Sequence, residues 1–168
     1  MSGKLKVLIV MGASGCGKTT VASLLAQRLS WQFADADDYH PDSNKEKMKV
    51  GIALNDEDRM PWLLTLKKEI DSWIENDKPT VLACSALKES YRFKLAGENE
   101  KIKFIYLKAD RELLEARHKI RVHEYMNPRL IMSQLESLEE PKKALTVDAA
   151  QNIETLVAEI LKKLTISE

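Results

Sequence analysis

Apolar residues in this chain form two kinds of pattern: short unbroken runs, and longer stretches in which they recur every three or four positions. Residues 5–11 (LKVLIVM), 80–84 (TVLAC) and 102–107 (IKFIYL) have the length and continuity of strands buried on both faces. Residues 32–35 predict a shorter second strand ending near Asp35, and residues 145–148 a last one. Helical spacing links Val21, Leu24, Leu25 and Leu29, then Leu63, Leu66, Ile70, Trp73 and Ile74, and finally Ile153, Leu156, Val157, Ile160, Leu161 and Leu164. Asp42 or Ser43 caps a short helix through Met48, closed by Gly51, and Pro61 is expected in the first turn of the next helix. Further helices are predicted up to Leu95, from the cap Asp110 through Leu113, Leu114 and Arg117, and up to Leu138. Strand then helix recurs throughout, which predicts an α/β fold with a parallel sheet covered on both faces.

At 168 residues, with no repeat or linker-like tract, the chain reads as a single domain over 1–168. Lysine and arginine total 26, as do aspartate and glutamate. No net positive field therefore favours nucleic acid or an acidic membrane, and a small molecule is the expected partner. No apolar run approaches the ~20 residues of a membrane helix, and the first strand follows Met1 too closely for a signal peptide. Cys16 and Cys84 lack metal-site spacing and suit a reducing compartment, so a cytoplasmic location is expected.

One stretch changes the picture. Gly12-Ala13-Ser14-Gly15-Cys16-Gly17-Lys18-Thr19 has the G-x-x-x-x-G-K-T spacing and lies between the first strand and the first helix. Its small residues let backbone N–H groups converge on a polyphosphate, and the helix N-terminus adds its dipole. Lys18 reaches the β- and γ-phosphates, and Thr19 offers a hydroxyl to Mg²⁺. Residues 12–19 and Thr20 thus predict an ATP site.

In a parallel sheet the ligand lies outside the carboxyl ends of the strands. That rule gathers the phosphate loop, Asp35 with Asp37, Ser85 with Lys88, and Asp110 along one rim, an inventory for moving a phosphoryl group to a hydroxyl. Asp35 is expected to hold Mg²⁺ through water, and Asp37 to take the proton of the phosphoryl-accepting hydroxyl. Arg59, Lys88 and Arg92 supply positive charge on this side, and Arg59 and Lys88 suit an anionic substrate. Arg117 and Arg121 are expected to close over the phosphates, and His40 to hydrogen-bond a polyol hydroxyl. Cys16 fills a position that tolerates small residues. No N-K-x-D guanine-reading motif appears, which disfavours a nucleotide-dependent switch.

The residues beyond the loop carry a resemblance. Asp35-x-Asp37-x-x-His40-Pro41, Asn44-x-x-Lys47-Met48, Gly51-x-x-Leu54-x-Asp56-x-Asp58-Arg59-x-Pro61-Trp62-Leu63, Cys84-Ser85-Ala86-Leu87-Lys88-x-x-Tyr91-Arg92 and Ser133-Gln134-Leu135-Glu136-x-Leu138-Glu139-x-Pro141 resemble the small gluconokinases, relatives of shikimate and nucleoside monophosphate kinases. The resemblance implies a P-loop kinase three-layer sandwich with a five-stranded parallel sheet and a mobile lid over about 117–131. It also implies Mg²⁺- and ATP-dependent phosphorylation of D-gluconate at its 6-hydroxyl, commonly by a homodimer. Asp37, Arg59, Lys88 and Arg92 become the implied gluconate contacts. At Arg121-Val122-His123-Glu124-Tyr125-Met126 the chain departs from the family's Arg-x-x-His, so no lid histidine is carried over. The rival substrate within the same chemistry is another small acid or polyol such as shikimate. A catalytically weak homologue that only binds nucleotide is the other alternative.

Overall fold

The computed structural model of the protein describes residues 4–120 and 129–167. Five parallel strands, Val7–Met11 (β1), Gln32–Asp35 (β2), Thr80–Ala83 (β3), Ile102–Lys108 (β4) and Leu145–Asp148 (β5), pair in the order β2-β3-β1-β4-β5. Every residue of the central β1 is buried, as its unbroken apolar run requires. Its side chains alternate between two cores. Leu8 and Val10 pack with Val21 and Leu25 of α1 (Lys18–Leu29) and with Leu156, Val157 and Ile160 of α7 (Ile153–Ser167). Val7, Ile9 and Met11 pack with Trp62, Leu66 and Ile70 of α3 (Asp56–Glu75) and with Tyr91 and Leu95 of α4 (Glu89–Ala96). Helices thus cover both faces, and the sandwich has three layers.

The remaining helices are α2 (Asp42–Lys49), α5 (Arg111–Ile120) and α6 (Arg129–Ser137). Asp110 caps α5 as expected, its Oδ1 accepting from the Leu113 N–H at 2.8 Å. The start of α3 differs from the sequence reading. Asn55 is its N-cap, bonding the Asp58 N–H at 2.8 Å while Asp58 Oδ2 accepts from the Asn55 N–H at 3.1 Å. This reciprocal capping box, followed by an acidic first turn, makes helix of a stretch whose polarity suggests loop. Pro61 therefore lies inside α3 rather than in its first turn, at the expense of one main-chain hydrogen bond.

Register brings the chemistry together. Asp35 stands opposite Ala83, and Ala83 opposite Val10, so the tip of β2 and the start of the phosphate loop end at one level. Two strand spacings, about 10 Å, separate them laterally. Among the described residues no helix is long and apolar enough to cross a membrane.

Candidate active site

A cavity of about 420 Å³ opens at the carboxyl ends of β1, β2 and β3. Lys18, Thr19, Asp35, Asp37, His40 and Arg59 all line it, together with Ser14, Gly15, Gly17, Thr20 and Ser85. The phosphate loop and the acidic tip of the edge strand thus face one space.

The loop can take its shape only with glycine at its two ends. Gly12 has φ +148°, and a Cβ there would stand 2.8 Å from Cys16 Sγ and 2.9 Å from the Leu107 carbonyl oxygen. Gly17, at φ 97°, is the left-handed residue that turns the loop into α1. Ala13 and Cys16 are buried and, like Gly12, do not line the cavity; this stretch contributes Ser14, Gly15 and residues 17–20 to its surface. Lys18 Nζ donates to the Ala13 carbonyl at 3.2 Å, holding the ammonium against the loop.

The carboxylates are positioned by the backbone and by α3. Thr19 Oγ1 donates to Asp35 Oδ2 at 3.0 Å, and Asp35 Oδ1 accepts from the Asp37 N–H at 3.0 Å. Asp35 thereby caps the 3-10 turn Ala36–Tyr39 that carries Asp37. Between them, the Ala36 carbonyl accepts from Trp62 Nε1 at 2.7 Å, fixing the turn to the buried core of α3. Thr19 and Asp35 form the side-chain pair suited to a hydrated divalent cation beside phosphates, since Mg²⁺ usually keeps several waters and takes one or two protein oxygens.

His40 stacks on Trp62 with ring centroids 4.3 Å apart and planes 12° from parallel. Asn44 Nδ2 lies 3.2 Å from His40 Nδ1 and 2.8 Å from the Asp58 carbonyl oxygen. With Asn44 donating, the ring proton is on Nε2. Burial, reinforced by the charges of Arg59 and Lys45, lowers the imidazole from 6.5 to about 4. The unfolded chain thus takes up a proton below pH 6.5 that the folded chain refuses until about pH 4. Stability is independent of this group above pH 6.5 and falls as the pH drops through that window, by up to about 1.4 kcal/mol per pH unit. Urea midpoints measured across the window will show the decline, and His40→Gln will flatten it.

Several expected contacts are elsewhere. Arg92 is 8% exposed; its Nη1 donates to the carbonyls of Ala86 at 2.7 Å and Leu87 at 3.1 Å, and its Nη2 to that of Glu139 at 2.8 Å. Those bonds tie the β3–α4 turn to the segment after α6, and Arg92, an implied gluconate contact, is not among the residues that line the cavity. Lys88 also lies outside the lining, its ammonium paired with Asp56 Oδ1 at 2.9 Å. Arg117, expected over the phosphates, donates to the carbonyls of Cys16 at 2.9 Å and Ala149 at 2.6 Å, which ties α5 to the phosphate loop. Arg121 lies outside the described residues, as does the rest of 121–128.

Other lining residues escape a reading based on charge and motif. Gln134 of α6 accepts from the Ser14 N–H of the phosphate loop at 2.6 Å, and Ser133 lies beside it. Met48, Ala53, Leu54, Trp62, Ala83 and Cys84 supply the apolar part of the wall. The Ser133-Gln134 pair in the family-like segment was the available signal for the polar part. The burial of Cys84 pushes its thiol up to about 12.

A lysine and a threonine of the G-x-x-x-x-G-K-T loop that share a cleft with two carboxylates and an arginine fit a phosphoryl-transfer enzyme, a kinase built on the phosphate-loop fold. The shikimate kinase family profile matches residues 14–165. Within that broader group the chain belongs to the gluconokinase family. It is 40% identical to the thermoresistant gluconokinase of Escherichia coli K12 over 164 residues, covering 94% of each chain. A solved gluconokinase from Sinorhizobium meliloti superposes with a TM-score of 0.82 at 31% identity, covering 99% of both chains. An unliganded sugar kinase from Janibacter superposes with a TM-score of 0.90 at 36% identity, covering 96% of this chain and 95% of the other.

Proposed function

We propose that the protein transfers the γ-phosphoryl group of ATP to the 6-hydroxyl of D-gluconate, giving 6-phosphogluconate and ADP. The observation that carries this reading is the single cavity shared by Lys18 and Thr19 with Asp37, His40 and Arg59. Loop N–H groups and Lys18 hold the phosphates, with Lys18 meeting the charge that develops on the β–γ bridging oxygen. Asp37 takes the hydroxyl proton as the new O–P bond forms and the γ-phosphorus separates from the bridging oxygen. Arg59 offers its planar fork to the substrate carboxylate, and neutral His40 offers Nε2–H to a chain hydroxyl. Thr19 and Asp35 would hold Mg²⁺, which when bound supplies positive charge to the phosphate oxygens.

The relatives at 40% and 31% identity bear gluconokinase names, which favours gluconate over shikimate as the substrate acid. We further propose that residues 1–168 act as one kinase domain, in the cytoplasm and as a homodimer; the free thiols of Cys16 and Cys84 suit that compartment. The test is ADP release with gluconate, its epimers, shikimate and common polyols. The highest kcat/KM is expected with gluconate. A higher value with shikimate or a polyol, or no ATP consumption with any of them, would overturn the assignment.

A further inference from the structure

Behind the cavity's arginine stands a hydrogen-bond relay. Arg59 Nη1 donates to the Tyr91 hydroxyl at 2.9 Å, and that hydroxyl donates to Asp56 Oδ1. The same carboxylate oxygen accepts from Lys88 Nζ at 2.9 Å. Both cations also approach the Tyr91 ring: Arg59 Cζ is 5.3 Å from its centroid and Lys88 Nζ 5.6 Å. Tyr91 is 4% exposed and packs in the core between α3 and α4, which fixes its ring. Burial first, then the bond to Asp56, raises its hydroxyl above the usual phenol range, so it remains a proton donor. Arg59 lines the cavity; Tyr91, Asp56 and Lys88 do not.

A phenol hydroxyl can accept one hydrogen bond while donating another, and here both are used. A free arginine side chain carries rotamer entropy that binding an anion must overcome. Anchoring one arm of the fork to a buried tyrosine removes part of that cost beforehand. We propose that Tyr91, oriented by Asp56, is a positioning residue that holds the Arg59 fork ready for the carboxylate of the substrate acid. Lys88 belongs to this relay, as a second cation on Asp56, rather than to the carboxylate receptor. The inference rests on the proposed pairing of Arg59 with the substrate carboxylate.

Tyr91→Phe keeps the ring and both cation contacts and removes only the hydroxyl. The gluconate KM should rise about tenfold, as for loss of one hydrogen bond that organises a charged group, with kcat and the ATP KM within about twofold of the parent. Asp56→Asn, at an exposed helix start, should shift the gluconate KM in the same direction. In a cycle with Arg59→Ala, the double variant Arg59→Ala/Tyr91→Phe should bind gluconate no worse than Arg59→Ala alone. An unchanged gluconate KM in Tyr91→Phe, an equal loss toward ATP, or additive effects would overturn the relay. If Arg59→Ala itself leaves the gluconate KM unchanged, the pairing of Arg59 with the carboxylate fails instead, and the two failures are told apart.

Discussion

Lys18→Met should lower turnover by about a hundredfold or more, corresponding to a barrier increase of about 3 kcal/mol, as when one preorganised charge-stabilising donor is lost. Methionine replaces the half-buried lysine stem with an apolar chain of similar length, so the first turn of α1 keeps its packing. The ammonium is lost. Its bond is to the Ala13 carbonyl at 3.2 Å, a neutral partner that a polyphosphate can readily displace. Charge developing on the leaving oxygens then meets only backbone N–H groups and, when bound, the metal. Steady-state ADP release at saturating ATP and gluconate reads this directly. Turnover equal to that of the parent would remove Lys18 from the catalytic group.

Asp37→Asn should reduce transfer by about 10² to 10⁴, the range expected when a positioned base is removed, while ATP binds with near-parental affinity. An amide is nearly isosteric with the carboxylate but cannot take the hydroxyl proton. The Asp37 backbone is held independently of its side chain, through its N–H to Asp35 and through Trp62 on the Ala36 carbonyl. The substitution therefore leaves the turn in place. Calorimetric ATP titration beside single-turnover transfer separates the two roles. Lost nucleotide affinity with normal transfer at saturation would exchange the assignments of Asp35 and Asp37.

The sheet was legible because β1 and β3 are short runs without polar alternation, too short for a helix and buried throughout, and β4 departs from that pattern only at Lys103 and Lys108. The meeting of the phosphate loop with Asp35 and Asp37 was legible for a topological reason, since a parallel sheet delivers every strand-to-helix loop to the same edge. Side-chain partners were not. Sequence offers Arg92 and Arg117 as site cations, and nothing in it shows that both guanidinium groups bind main-chain carbonyls, some as distant as Glu139 and Ala149. Such pairings exist only after the layers have packed, and no local spacing encodes them. Gln134 was hidden similarly, on a helix far along the chain whose turn happens to reach the Ser14 N–H. At the start of α3 local chemistry misled instead, because Asn55 and Asp58 satisfy each other's backbone groups and convert an apparent loop into a helix.

The strand order places the two halves of the chemistry in unequal settings. The phosphate loop springs from β1, flanked by β3 and β4, whereas the turn that carries Asp37 follows β2, which among the described residues pairs in the sheet with β3 alone. Changes at that border can reshape what is recognised there without unpicking the middle of the sheet. This architecture therefore allows the handling of ATP to stay fixed while the choice of sugar acid drifts.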